Sequence, residues 1–130
     1  DKSHPTLSHP KWTKANYLGG VAEYARYNSA KSLDESAAMK SASWGKFQIM
    51  GFNHARSGYG SVEAYVADMY KAESYHLNAF VKFIKASDLD ASLRARNWSA
   101  FAKSYNGPKY AENKYDVRLQ QAYNAFSAKK

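Results

Sequence analysis

The sequence predicts a single, almost entirely α-helical domain. A chain of 130 residues fits one domain and leaves little room for two. Apolar residues recur along it at steps of three and four, as they do on the buried face of an amphipathic helix. We found no segment in which apolar and polar residues alternate long enough to predict a strand. These observations together predict an all-α fold.

Composition divides the chain into a short arm and one helical domain. Residues 1–13 contain two of the three prolines and two of the four histidines, so we predict an extended N-terminal arm there. Residues 14–130 are predicted to form the helical domain. Its first helix is expected over residues 21–33, with Val21, Tyr24, Ala25 and Leu33 facing inward. A second helical segment is expected over 34–40.

The middle of the chain carries the clearest periodicity. Residues 47–50 are predicted to begin a short helix, which the Gly58–Gly60 loop interrupts. An apolar stripe then runs over residues 62–84 and predicts a central buried helix or helix pair, ending near residues 87–88. Ser61 is its expected N-cap. Leu77 and Phe80 are expected in its buried face.

Three further helices are predicted in the C-terminal third. Short apolar clusters predict helices near residues 89–95 and 98–102. Pro108 follows Gly107 and is expected at a first helical position, where proline is tolerated. The last helix should run to about residue 126.

Charge is the first indication of function. Nineteen Lys and Arg against eleven Asp and Glu give a net charge of +8, which favours a polyanionic partner. Nucleic acid, anionic lipid and the acidic polymers of a bacterial envelope all meet that description. The basic residues are spread along the chain, which argues against a nucleic-acid-binding tail, although a basic helical nucleic-acid-binding domain stays an alternative.

Several classes of chemistry find no support. The chain has no cysteine, and its four histidines show no metal-ligand spacing. We therefore predict no metal site, and because no apolar run approaches the roughly 20 residues that cross a bilayer, we predict no membrane span. Carboxylates remain as candidate catalytic groups, since glycoside hydrolysis needs a protonated acid and usually a second carboxylate. Glu23, beside the Gly19-Gly20 turn, and Glu35 are the two candidates retained.

Two turn segments carry the residue types that bind sugars, which are aromatic rings and planar amides. The first spans residues 43–51 and contains Gln48, and the second spans 104–110 and contains Tyr105 and Asn106. Polar residues inside apolar turns need partners, so these three are candidate sugar-binding residues. Phe47 and Ile49 are better explained as core.

These segments resemble a known family. Residues 10–12 (PKW), 17–20 (YLGG), 23–24 (EY), 41–53 (SASWGKFQIMGFN) and 105–108 (YNGP) resemble the N-acetylmuramidase domain of phage endolysins and related bacterial proteins. The resemblance implies a lysozyme-like fold and cleavage of the β-1,4 bond after N-acetylmuramic acid, without a cofactor. It implies that Gln48, Tyr105 and Asn106 line one cleft, flanked by Ser43, Trp44 and Tyr110.

The resemblance also carries expectations about partners and catalysis. It implies a monomer that is made in the host cytoplasm and acts on peptidoglycan at the anionic cell-wall surface. The family's general-acid glutamate lies upstream of the Pro-Lys-Trp segment, so its position is expected before Asp1, and Glu23 is the alternative within this chain. The chain alone is then expected to cut poorly. The alternative is a non-catalytic peptidoglycan-binding module.

Overall fold

A computed structural model describes residues 3–8 and 14–129 of the protein. The chain divides into two compact units, Asp1–Phe80 and Val81–Lys130. The described residues form seven α-helices and one small hairpin: α1 (Glu23–Lys31), α2 (Glu35–Ser41), β1 (Ser43–Trp44), β2 (Ile49–Met50), α3 (Val62–Met69), α4 (Glu73–Ala86), α5 (Asp90–Arg94), α6 (Trp98–Asn106) and α7 (Tyr115–Ser127). The predicted all-α class is confirmed, with the hairpin as its exception. None of the helices in the described ranges combines the length and apolar character that a membrane crossing needs.

The N-terminal segment is described only in part. The backbone N–H groups of Leu7 and Ser8 both donate to the carbonyl of His4, so residues 4–8 make a tight turn. The predicted end of the arm, at residue 13, lies outside the described residues. The division into an arm and a domain therefore stays a prediction.

Helix α1 begins later than predicted and presents a different face. A short 3-10 turn, Gly20–Ala22, precedes it. The predicted inward face is wrong: Val21 and Tyr24 are exposed, as are Ala25 and Leu33. The partly buried positions are Glu23, Arg26, Tyr27 and Ala30, which are spaced three and four residues apart. A face built from a tyrosine ring and an ion pair carries no apolar periodicity to detect.

The predicted short helix at residues 47–50 is wrong, because these residues belong to a β-hairpin. Strands β1 and β2 pair antiparallel, with Trp44 opposite Ile49. Gly45 and Gln48 both adopt positive φ angles, of 68° and 53°, and these reverse the chain within four residues. The Gln48 backbone N–H closes the turn on the Gly45 carbonyl at 3.2 Å.

The hairpin packs between α2 and α3 in the core of the first unit. Asp34 caps α2 by accepting from the Ala37 N–H at 2.8 Å, which confirms the second predicted helix. Tyr65 of α3 is fully buried, and its hydroxyl donates to the Ile49 carbonyl at 3.1 Å. Ser61 caps α3 as predicted, accepting from the Ala64 N–H.

The apolar stripe over residues 62–84 forms two helices, because a turn at residues 70–72 separates α3 from α4. Tyr70 and Lys71 donate to carbonyls only three residues back, which ends α3. Fewer side chains of α4 are buried than the apolar stripe predicts. Leu77 is 52% exposed, whereas Phe80 is half-buried and stacks on Phe47 with ring centroids 4.2 Å apart. The prediction that Leu77 is buried is wrong.

The second unit contains the end of α4, from Val81, followed by α5, α6 and α7. The buried residues of α6 are Phe101 and Ala102, and Asn97 caps this helix through Ala100 N–H at 3.1 Å. Pro108 lies in a turn rather than at a first helical position, and a 3-10 helix, Tyr110–Asn113, follows it. The predicted helices near residues 89–95 and 98–102, and the last helix, are confirmed.

Gly51→Ala should unfold the first unit far more easily than wild type. A Cβ at residue 51 would lie 2.0 Å from the Met39 carbonyl oxygen, so the backbone must move. We expect a loss of about 3 kcal/mol or more in the free energy of unfolding, measured by urea denaturation. Gly60→Ala is the matched control, since a Cβ there meets nothing within 4 Å and should leave stability unchanged or slightly higher. Equal effects of the two substitutions would contradict this close approach.

Candidate functional site

Gln48 stands at the exposed tip of the hairpin. Its side-chain Nε2 donates to the Gly45 carbonyl at 2.9 Å, and its backbone φ is 53°. A left-handed conformation costs a non-glycine residue roughly 1 kcal/mol, so the surrounding hairpin must hold it. The arrangement presents a planar amide at the surface on a short, constrained turn.

The two other predicted site residues of this segment differ in burial. Ser43 is exposed, and its hydroxyl lies 3.0 Å from the Met50 sulfur. Trp44 is buried, and its indole N–H donates to the Met39 carbonyl at 2.8 Å. The rings of Tyr27 and Tyr70 pack edge-on against it. With its polar atom and faces occupied, Trp44 acts as a core anchor for β1, whereas Ser43 stays available.

A histidine that the sequence did not single out supports the tip of the hairpin. His76 Nδ1 accepts from the Lys46 backbone N–H at 3.1 Å, and its Nε2 lies 2.9 Å from the Met69 carbonyl. Because Lys46 supplies a hydrogen and Met69 supplies none, Nε2 carries the ring hydrogen. Gly45 packs on the same ring and on Met69, where a Cβ would lie 2.7 Å from the sulfur. The turn is therefore fixed from beneath.

Tyr105, Asn106 and Tyr110 surround the end of α6 in the second unit. The Tyr105 ring stacks on Phe101, with centroids 5.4 Å apart, and burial raises its pKa to about 12. Asn106 is exposed as the last residue of α6, next to Gly107 with φ of 89°. Tyr110 is half-buried, and its backbone N–H donates to the Gly107 carbonyl at 3.1 Å. This turn also presents an exposed amide beside a packed tyrosine.

The two turns belong to different units of the chain. Gln48 lies in Asp1–Phe80, and Asn106 lies in Val81–Lys130. That both turns line one cleft stays a prediction.

Glu23 is surrounded by groups that favour its ionised form. The backbone N–H of Gly19 donates to its Oε1 at 3.0 Å, and the Leu18 N–H donates to the same oxygen. Arg26 pairs with the other oxygen at 3.3 Å. The Gly19 hydrogen bond, together with those from Leu18 and Arg26, lowers the pKa of Glu23 below its ordinary value of 4.5. Arg26 also donates to the Thr6 carbonyl, so Glu23 helps to hold the chain before α1.

The pKa of each other shifted carboxyl group among the described residues is also lowered. Hydrogen bonds from its own N–H and from Ser61 lower the pKa of Glu63. The Lys71 ammonium lowers the pKa of Asp68, and the Lys46 ammonium lowers that of Glu73. A general acid needs its pKa raised, by burial or by a like charge. In each of these groups the hydrogen bonds and ion pairs outweigh the effect of burial, so the pKa is lowered instead.

The second candidate carboxylate, Glu35, is exposed and ion-paired. Glu35 begins α2 and forms an exposed ion pair with Lys31 at 2.8 Å. Across residues 3–8 and 14–129, no group of three or more His, Cys, Asp or Glu could hold a metal ion.

Comparisons with known proteins identify the family. The sequence matches the N-acetylmuramidase family over residues 1–127. An endolysin of Enterobacteria phage PRD1 is 29% identical over 122 residues, which cover 89% of this chain and 78% of that protein. The crystal structure of Burkholderia AP3 phage endolysin superposes with a TM-score of 0.88 at 42% identity, over 98% of this chain. The chain spans about half the length of that solved protein, 49%. The lysozyme-like fold predicted from the motifs is thereby confirmed, and the chain belongs to the N-acetylmuramidase family.

Proposed function

We propose that this chain binds glycan strands for a muramidase reaction, which cleaves the β-1,4 bond after N-acetylmuramic acid in bacterial peptidoglycan. The observation that carries the proposal is the family match over residues 1–127. The family consists of peptidoglycan hydrolases of the lysozyme type. Two exposed amide-bearing turns, at Gln48 and Asn106, supply the chemistry that such a polymer requires.

In this proposal each turn contributes a different contact. The Gln48 and Asn106 amides hydrogen-bond the acetamido groups and hydroxyls of the strand, because a primary amide both donates and accepts. The Tyr105 ring is held by Phe101 and Tyr105 directly precedes Asn106 in the chain, so in this proposal its hydroxyl contacts the strand as well. Ser43 and Tyr110 flank the two turns. Trp44 is assigned to the core beneath β1 and does not contact sugar.

Glu23 is proposed as a structural residue rather than as the general acid. Protonation would cost it the strong hydrogen bonds from Gly19 and Leu18 and the ion pair with Arg26. A general acid must instead be protonated at working pH and give its proton to the leaving oxygen. The family acid expected before Asp1 stays a prediction.

The proposed partner is the anionic bacterial cell wall, and the charge distribution supports it. Residues 81–130 hold ten of the nineteen Lys and Arg but four of the eleven Asp and Glu, so this unit carries +6 of the net +8. We propose that the protein acts as a monomer, is made in the host cytoplasm, and works on the wall without a cofactor. A non-catalytic peptidoglycan-binding module is the second candidate, favoured by the lowered carboxyl pKa values.

Gln48→Gly and Asn106→Ala should weaken binding to purified sacculi while leaving the fold intact. Glycine adopts the φ of 53° at position 48 more easily than glutamine, so lost binding cannot be attributed to turn strain. Each lost amide contact should reduce affinity by roughly threefold to tenfold, measured by co-sedimentation. Gln121→Ala, on the exposed surface of α7, is the control. Unchanged binding by both variants would refute the role of the turns.

The 130-residue chain should release reducing ends from peptidoglycan only slowly. Proton donation by a general acid contributes about 10²–10⁴-fold, and every carboxyl pKa shift among the described residues is downward, which disfavours the protonated form that a general acid needs. Turbidity loss and reducing-end release should be compared for wild type, Glu23→Gln and Glu35→Gln. Rapid cleavage by wild type that is lost in Glu23→Gln, with an unchanged melting temperature, would make Glu23 the acid.

Glu23 should also stabilise the fold in a pH-dependent way. Its pKa is lower in the folded state than the ordinary 4.5, so its contribution is present above pH 4.5 and disappears as the pH falls through the folded value. Glu23→Gln should therefore melt below wild type at neutral pH, and the difference should shrink in acid. The measurement is the melting temperature of both proteins as a function of pH. A difference that stays constant well below pH 4.5 would contradict the assigned contacts.

A further inference from the structure

The second unit contains a groove that includes none of the predicted site residues. It is an open groove of about 440 Å³, and it lies where α5 leads into α6 and where α7 begins. Its lining consists of Ala95, Arg96, Asn97, Trp98, Ser99, Asp116, Val117 and Gln120.

The groove combines an aromatic ring with polar groups of several kinds. Trp98 is half-buried and packs against Tyr123, with centroids 5.3 Å apart, so the ring is held in place. Gln120 is exposed on α7 and adds a planar amide. Asp116 accepts from the Ser99 hydroxyl at 3.2 Å, and a carboxylate has further lone pairs for sugar hydroxyls. An aromatic ring beside amide and carboxylate groups suits a saccharide.

Arg96 adds a positive charge in an unusual backbone conformation. It follows α5 with φ of 55°, in the left-handed region where a helix commonly ends on glycine. Its guanidinium lies over the Tyr123 ring, 4.9 Å from the centroid. A guanidinium that stacks on a ring keeps its N–H groups at its edge, where they can pair with a carboxylate. The unit around it carries +6.

We propose that this groove is a second glycan-binding site, which binds N-acetylated sugar strands that carry carboxylates. Trp98 would stack on a sugar ring, the Gln120 amide would bond an acetamido group, and Arg96 would pair with a carboxylate of the strand. The inference rests on the proposed function, because the peptidoglycan strand is its ligand. It adds a contact region whose lining includes neither Gln48 nor Asn106.

The test uses the whole chain and two soluble probes. One probe is the peptide-free glycan strand of amidase-treated sacculi, in which hydrolysis of the amide to the stem peptide leaves a free lactyl carboxylate on each muramic acid residue. The other is chitotetraose, which is N-acetylated but neutral. Binding is followed by ¹H–¹⁵N NMR at the Trp98 indole and the Gln120 amide, which report on the groove, and at the Gln48 and Asn106 amides, which report on the two turns.

Two variants change the groove without threatening the fold. Arg96→Gly relieves the left-handed backbone at that residue, and Gln120→Ala places a good helix former on α7. Their matched controls are Lys82→Ala, which removes one positive charge from the same unit, and Gln121→Ala, the neighbouring exposed glutamine. Melting temperatures should be at or above wild type for both groove variants.

The expected result is a shift of the Trp98 and Gln120 resonances with the glycan strand. Arg96→Gly and Gln120→Ala should each weaken that site by roughly tenfold, and the controls should not. Chitotetraose should bind more weakly and should not respond to Arg96→Gly.

Three outcomes would overturn the inference. Shifts at Gln48 and Asn106 alone would show that the groove does not bind the strand, and the proposed function would still hold. No shift at any of these residues would contradict both the groove site and the proposed function. If Lys82→Ala weakened the site as much as Arg96→Gly, net charge rather than the groove would explain the binding.

Discussion

The carbonyl group of Met39, in the last turn of α2, fixes the architecture of the first unit. It accepts the Trp44 indole N–H at 2.8 Å, and the backbone of Gly51 passes so close that a Cβ there would lie 2.0 Å from its oxygen. Both ends of the hairpin are thus held against one point of one helix. The Tyr65 hydroxyl holds the Ile49 carbonyl from α3. The position of the hairpin tip, and with it Gln48, follows from these contacts.

Such a framework explains why a polar residue can occupy a strained turn at the surface. The hydrogen bonds from Lys46 to His76 and from His76 to Met69 hold the tip against the first turns of α4 and the end of α3. A binding amide on a fixed turn loses less conformational entropy when it meets its ligand than one on a mobile loop. Gly45 is required in the same place for a different reason, since its φ of 68° and its contact with Met69 leave no room for a side chain. Binding chemistry and backbone geometry are therefore set by neighbouring residues of one turn.

Sequence patterns predicted the parts of this fold that depend on local signals. Ser61 was predicted as the cap of α3, because a helix start is encoded within four residues, and Asp34 caps α2 in the same way. The hairpin escaped detection because strands of two residues are too short to show alternation, and because a left-handed glutamine has no sequence signature. The partly buried face of α1 was predicted wrongly for a related reason. Its partly buried residues include Glu23 and Arg26, whose burial depends on pairing with each other and with the preceding turn.

The candidate site shows the same limit. The residue types at the two turns could be predicted, but the assignment of Trp44 to the core depends on an indole hydrogen bond that only the fold reveals. The pKa of Glu23 likewise depends on the direction of two backbone N–H groups. The net charge could be calculated from the sequence. Only the boundary between the units, at Val81, shows that most of the excess positive charge belongs to one unit.

Backbone strain helps to separate structural from functional positions in the described residues. Four non-glycine residues there have positive φ angles: Gln48, Asp88, Arg96 and Lys114. Asp88 follows the end of α4, and aspartate is among the residues that tolerate this conformation. Lys114 joins a 3-10 helix to α7. Gln48 and Arg96, like Lys114, carry long polar side chains at exposed positions where glycine would fit with less strain, but among the four only these two belong to the proposed glycan contacts. Retaining such a side chain there costs stability, and that cost is understandable where the side chain meets a ligand.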